Sequence, residues 1–403
     1  MSHSPSAGRD PVTAGAPAPP RLPWDGVLAR RLARHGLAGP LRDSGPADCA
    51  GVLCGAHAQV MSAAELSLGL RLDGVTRDAV RTALWEERSL VKTFGPRGTV
   101  HLLPAAELPL WTGALTALPT GRNALSPGAR LTPGQTDAVV AAVADALRDA
   151  ELTADELTEA VVAAAGPWAG DLVMPAFQGM WPRWRQALHT AAHRGALCFG
   201  PNRGRKVTYT SPQRWLPGFR PAAPADSLAR VVSRYLHAYG PATPGHFARW
   251  TAVPPGWAAD LFGTLAASGA VEPVEFCGER AWVTAGDTAL PGGPPRGVRL
   301  LPYFDAYTVG SHPRARVFPG RSAGRALARG QAGNFPVLLV DGLAAGVWHQ
   351  RRSGRRIDIT VEPLGPLSAA HRRELDEQAE RTASVLGGVP RLTTGPVSAG
   401  PHA

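Results

Sequence analysis

The stretch Gly55-Ala56-His57-Ala58-Gln59, followed by Val60-Met61-Ser62-Ala63-Ala64-Glu65, separates two helical patterns. Upstream, Asp48 to Cys54 carries Ala50, Val52 and Leu53 and reads as an apolar helix that Gly55 ends. Downstream, Ser62 and Glu65 have the spacing of a capping box, which starts a second helix at Ala63 and runs it through Leu66 and Leu70 to Asp73-Gly74. His57 and Gln59 therefore fall in a short connector. Two residues apart in extended chain, they point to one side, where an imidazole and a carboxamide can grip one small object such as a water. The bland alternative is that both side chains cap helix ends. The pattern alone leaves both open.

Outward from the connector, Trp24 to Leu37 is an amphipathic helix with Leu28, Leu32 and Ala33 on one face and Arg30, Arg31 and Arg34 mostly off it. Arg77 to Arg88 is a further helix, and Leu90–Phe94, Gly95-Pro96 and Arg97–Leu103 read as strand, turn and strand. The order recurs. Capping boxes at Thr132 and Thr153 open two helices, Met180 to Gly195 reads as a third, and a hairpin follows with Arg203, Arg205 and Lys206 at its tip. After the linker Pro217 to Pro224 come helices over 227–239, 244–250 and 256–268 and a hairpin over 271–285. From Leu290 the character turns to β, with short strands over 298–304, 337–340, 345–349 and 357–361 and a last helix over 368–386. The expectation is an α+β chain: tandem winged-helix modules (helix-turn-helix plus β-hairpin), then a C-terminal β-rich, barrel-like domain. The spans are a disordered tail 1–22, modules 23–121, 122–216 and 224–289, a β-rich domain 290–388 and a loose tail 389–403.

At 403 residues the chain is too long for one ordinary core. Its formal net charge is +10 and its isoelectric point about 10.3, the balance of a protein that meets a polyanion, most often nucleic acid. Lysine occurs only at Lys92 and Lys206, which leaves two candidates for any Schiff-base mechanism. The four cysteines form no Cys-x-x-Cys pair, which fits a reducing cytoplasm, and no apolar run reaches membrane-span length. A cytoplasmic, nucleoid-associated monomer without membrane contact, cofactor or metal is expected.

The basic tip formed by Arg203, Arg205 and Lys206 suits phosphate contact, or is plain solvated surface. Arg97, Thr99 and His101 alternate along one strand and face DNA or the His57 cleft, or form the polar face of an ordinary strand. His189 and His193 have the spacing of a zinc pair, but no third ligand completes it, and they read as helix-surface residues. No phosphate loop, Gly-x-Ser-x-Gly elbow or dense carboxylate cluster is present, which counts against an NTPase, a serine hydrolase and a two-metal nuclease. Asp305, after an apolar strand, orients a histidine or a loop arginine, or caps its turn.

Several stretches together resemble the bacterial AlkZ/YcaQ family of winged-helix DNA glycosylases: Arg97-Gly98-Thr99-Val100-His101-Leu102, the hairpin Gly195 to Tyr209, Gly240-Pro241-Ala242-Thr243-Pro244 with Phe247–Trp250, Leu300–Asp305, and Val340-Asp341-Gly342 with Gly346-Val347-Trp348. The likeness covers about Trp24 to Leu386. The family signature is Gln-x-Gln or Gln-x-Asp after the second helix; here the position reads His57-Ala58-Gln59, a His-x-Gln variant. The resemblance implies a monofunctional DNA glycosylase acting on bulky or crosslinking N7-alkylguanine in double-stranded DNA, in self-protection against a DNA-alkylating natural product. It further implies that His57 and Gln59 are the catalytic residues, holding a water against C1′, with an open cleft and a wing inserted into the duplex. The second reading is a non-catalytic winged-helix transcriptional regulator.

Overall fold

The structure is a computed structural model that describes residues 18–119, 121, 125–176 and 179–401. The expected disorder of 1–17 and the end of the tail, 402–403, lie outside the described residues. Three times the chain passes from helices into an antiparallel hairpin, and each hairpin gains a short third strand from elsewhere. Leu90–Phe94 and Val100–Pro104 are joined by Ala56–His57; Cys198–Arg203 and Lys206–Thr210 by Glu151–Thr153; Val271–Phe276 and Glu279–Thr284 by Arg21–Leu22, in parallel. Arg21 and Leu22, placed in the disordered tail by sequence, are thus paired. The C-terminal sheet has five strands, from Val298–Leu301 through Val337–Val340, Leu343–Ser353 and Arg356–Pro363 to Val389–Thr394. The last strand lies within the span expected to be a loose tail. It pairs in parallel with Arg356–Pro363 after the helix Ala369–Val385 crosses over the sheet. Among the described residues no helix is long and apolar enough to cross a membrane.

Other expectations are corrected. The helix after the connector runs Met61–Gly69 with Val60 at its N-cap and no side-chain cap, so Ser62 and Glu65 do not form a capping box. Glu65 is buried and instead receives Arg77 and Arg81 at 3.1 and 2.6 Å. The expected helix over 180–195 is a strand, Met180–Pro182, then a 3₁₀ segment, Arg183–Ala187, and a helix only over Leu188–His193. Pro182 removes an amide donor and biases the residue before it to extended geometry, so the helix starts only beyond it.

The first helix, Trp24–Arg34, packs Leu28 and Leu32 into the core of the C-terminal sheet, beside Leu301, Tyr307, Val337 and Val347. Its arginines do not point to solvent. Arg31 is 1 % exposed and donates to the carbonyls of Gly240, Pro241 and His312. Arg30 donates to the carbonyl of Asp287, and Arg34 forms an ion pair with the Asp287 carboxylate at 2.5 Å. Guanidiniums that satisfy backbone oxygens can be buried where lysine could not, because five donors in a fixed fork reach several acceptors.

A second buried arginine ties the ends of the chain together. Arg71 and Asp305 have side chains at 0 % exposure and meet through two bonds, Nη2 to Oδ1 at 2.8 Å and Nη1 to Oδ2 at 2.9 Å. Ser67 Oγ donates to Oδ2 and the amide of Tyr307 to Oδ1. Burial opposes the charge on Asp305, but Arg71 and these donors outweigh it and hold the carboxyl below its ordinary value. Asp305 thus caps its turn and also grips an arginine. Removal of one partner leaves a buried, unpaired charge. Asp305→Ala is expected to lower stability by about 3–5 kcal/mol in urea unfolding, and the double change Arg71→Met with Asp305→Leu by much less. Equal losses in the two variants would contradict this.

Candidate active site

The helix Pro46–Val52 ends at two successive left-handed residues, Cys54 at φ +56° and Gly55 at φ +99°. A Cβ on Gly55 would lie 2.8 Å from Leu103 Cδ2, so glycine is needed for its space as well as its φ. The turn delivers Ala56 and His57 as a short strand against Val100–Pro104, with His57 directly opposite His101. Ala58 N–H then donates to the Val100 carbonyl at 2.8 Å, and Val100 N–H donates to Gln59 Oε1 at 3.0 Å. Neither His57 nor Gln59 caps a helix. One residue of the neighbouring strand holds the connector through both of its backbone groups.

Because a backbone amide can only donate, the bond from Val100 fixes which end of the Gln59 amide is oxygen. No described residue accepts from its Nε2, and that NH2 stands at the wall of a cleft of about 650 Å³. His57 shares the wall and is 8 % exposed. Arg97 Nη2 donates to His57 Nε2 at 2.8 Å, so that nitrogen carries the lone pair and the proton sits on Nδ1, a buried atom without a partner among the described residues. Burial, then the neighbouring His101 and Arg97, push the imidazole well below its ordinary pKa, and the ring is neutral. Behind it lies His101, ring centroids 4.2 Å apart, 1 % exposed, with Nδ1–H donating to the Thr99 carbonyl. Burial lowers its pKa to about 3.

Arg97, Thr99 and His101 do not alternate along one strand. Arg97 sits in a single 3₁₀ turn, Pro96–Gly98, at φ +62°, and only His101 lies in the strand Val100–Pro104. Arg97 also donates to the Trp250 carbonyl at 2.8 Å, which aims its guanidinium at His57. Arg97 and Thr99 reach the cleft; His101 supports His57 from within. The basic hairpin lies elsewhere, and two of its cations have partners: Arg203 with Glu156 at 3.0 Å and Lys206 with Asp155 at 2.9 Å. Arg205 has no ion pair among the described residues. His193 Nε2–H donates to the Gly95 carbonyl and the His189 ring packs on Gly98, so this pair braces the Arg97 turn; no cluster of three or more metal-ligating side chains occurs among the described residues.

Three contributors escaped the sequence reading. Arg249, Arg314 and Phe304 line the cleft from separate parts of the chain. Phe304 adopts φ +53°, a strained geometry for an aromatic residue, beside the anchored Asp305. Only the stretches Phe247–Trp250 and Leu300–Asp305, already notable for resemblance, hinted at two of them. No aspartate or glutamate is among the described residues that line the cleft. Arginines converging on an open cleft with only neutral hydrogen-bonding groups on its wall define a site for a polyanionic substrate.

Comparison with known proteins gives that class its identity. The profile of the "DNA glycosylase AlkZ-like" family matches residues 51–385. An interstrand DNA cross-link repair glycosylase from Streptomyces sahachiroi is 33 % identical over 340 residues, spanning 81 % of this chain and 87 % of that protein. The solved structure of the DNA glycosylase AlkZ from the same organism aligns over 93 % of this chain and 100 % of its own, with 29 % identity and a TM-score of 0.75. The chain belongs to the AlkZ-like family of DNA glycosylases, enzymes that hydrolyse an N-glycosidic bond. That sets aside the regulator as the better reading.

The buried imidazoles carry a pH dependence. His57, His101 and His35 are held neutral, the last two with pKa pushed down to about 3, while in the unfolded chain each takes up a proton near pH 6.5. The unfolded state therefore binds more protons below about pH 6.5, and stability falls as pH falls from there toward the folded values. The melting temperature is expected to drop between pH 7 and pH 5, and less steeply in His57→Gln. A slope unchanged by that substitution would mean His57 is not buried neutral.

Proposed function

We propose that this DNA glycosylase removes N7-alkylated guanine, bulky and crosslinking adducts included, by water attack at C1′, with His57 and Gln59 as the catalytic pair. The observation that carries the reading is the absence of a carboxylate among the described cleft residues, together with an imidazole held neutral. A neutral nucleobase leaves only when it is protonated or when the anion it becomes is stabilised. A guanine alkylated at N7 already carries positive charge and leaves without either. Gln59 can hold the water through its free NH2 and the second lone pair of Oε1. The one lone pair of His57 Nε2 is occupied by Arg97, so His57 accepts from the water only when Arg97 turns away, for example toward a DNA phosphate. An open cleft accommodates an adduct that a tight flipped-base pocket would exclude. The name of the Streptomyces relative supports crosslinks as substrates; self-protection against a DNA-alkylating natural product rests on the resemblance alone.

The three helix–hairpin sets are read as winged-helix modules over 23–121, 122–216 and 224–289, ahead of the β-rich domain 290–388, in a monomer that approaches duplex DNA with Arg97, Thr99 and the hairpin of Arg203, Arg205 and Lys206. His101, buried behind His57, acts in this scheme through its neighbour.

Single-turnover release of base from a duplex with one N7-alkylguanine tests the chemistry. His57→Ala and Gln59→Ala are each expected to slow release by roughly 10²-fold with duplex affinity kept, and a duplex bearing uracil, which leaves as an anion unless protonated, should yield nothing. Efficient uracil release would sink the N7 assignment. Replacement of Arg203, Arg205 and Lys206 by glutamine should weaken binding to any duplex and flatten its salt dependence. An unchanged salt slope would remove this hairpin from the interface.

A further inference from the structure

The segment Leu172–Pro182 has no charged residue. Its strands Leu172–Pro175 and Met180–Pro182 form a two-stranded ribbon that joins no larger sheet. Three of the four exposed large hydrophobic residues among those described lie here: Leu172 at 65 %, Met180 at 44 % and Trp181 at 42 % exposure. Met174 stands opposite Trp181 and Pro175 opposite Met180, and neighbours along a strand face opposite ways, so apolar side chains occupy both faces of the ribbon. An isolated ribbon gains little from such residues in the free protein. They suit a partner that takes them in from both sides.

Two arginines flank the ribbon, which adjoins the elements that the proposed function sets against DNA. Arg185 lies over the Trp181 ring at 4.3 Å, and the carboxylate at the base of the ribbon, Asp171, is held by Arg183 at 3.1 Å. From the ribbon the chain runs through Arg183–Ala187 into Leu188–His193, whose two histidines brace the glycines on either side of Arg97. The ribbon is thus anchored to the turn that aims Arg97 at His57.

We propose that this ribbon is an apolar wedge that enters duplex DNA beside the lesion, stacking Trp181 and Met180 against base pairs and parting them while arginines hold the backbone. Apolar side chains inserted between base steps unstack and kink a duplex, and an indole stacks on any base. The inserted element is this apolar ribbon, while the basic hairpin keeps the phosphate contact proposed above. The proposal rests on the reading that the chain works on duplex DNA. The opened duplex brings C1′ to the His57–Gln59 wall without full extrusion of a bulky base.

The test uses the full chain, a short duplex with one N7-alkylguanine and 2-aminopurine in the adjacent pair, and the variant Met180→Ser/Trp181→Ser. Wild type should raise 2-aminopurine fluorescence as it binds. The variant should lose that rise and bind about 10- to 100-fold more weakly, with an unchanged salt slope, because no charge was removed. Its melting temperature should stay close to the wild-type value, since neither residue belongs to a packed core. Wild-type affinity in the variant overturns the wedge, as does weaker binding with the fluorescence rise retained. Self-association that the variant abolishes, with DNA binding intact, also overturns it and assigns the ribbon to a second copy of the chain. Unstacking by wild type without base release would leave the wedge and remove the N7 reading; base release without unstacking would do the reverse.

Discussion

Arg71 and Asp305 are 234 positions apart and meet at zero exposure, joined by two hydrogen bonds and backed by Ser67 and the amide of Tyr307. Two charges taken out of water at this depth are tolerated only with good geometry and satisfied lone pairs. That requirement fixes the helix after the His57–Gln59 connector against the loop that follows the first strand of the C-terminal sheet. On one side of the pair stands Met61–Gly69, which begins where the connector stops. On the other stands Phe304, held at a positive φ and facing the cleft. The two walls of the site are therefore set by one buried interaction that is itself outside the cleft.

Charge within the site follows a different logic. Two of its arginines are aimed by backbone carbonyls rather than by carboxylates: Arg97 by Trp250, and Arg314 by Thr308 and Val309. Such bonds orient a guanidinium without cancelling its charge, so the cleft keeps a positive field for phosphate. The imidazoles nearby respond to burial first, and neighbouring arginines lower them further. His312 has its pKa pushed down to about 2, and His246, stacked on it at 4.5 Å, to about 4. Neutral rings beside unneutralised arginines form a surface that attracts a polyanion yet offers no strong acid. A leaving group that needs no protonation fits that surface.

Local pattern was legible where one element's own chemistry decides it. The boxes at Thr132 and Thr153 cap their helices as read, because a capping box closes within four residues. The same motif failed at Ser62 and Glu65, where Arg77 and Arg81 compete for the carboxylate and win it. Arginines of the first helix looked solvent-facing because nothing nearby reveals the carbonyls of Gly240, Pro241 and His312 that receive them. The segment from Met180 reads as helix in the sequence, yet its exposed residues belong to a ribbon.

The sequence by itself determined the order of helices and hairpins, the positive charge, and the connector with His57 and Gln59 close enough to act together, because these depend on residues within a few positions of one another. Tertiary structure alone decided that Arg97 occupies the lone pair of His57, that His101 lies behind it, and that Arg249, Arg314 and Phe304 complete the cleft. Those contacts join segments tens to hundreds of residues apart. Their cause is the competition of buried polar groups for distant partners, which no local spacing encodes.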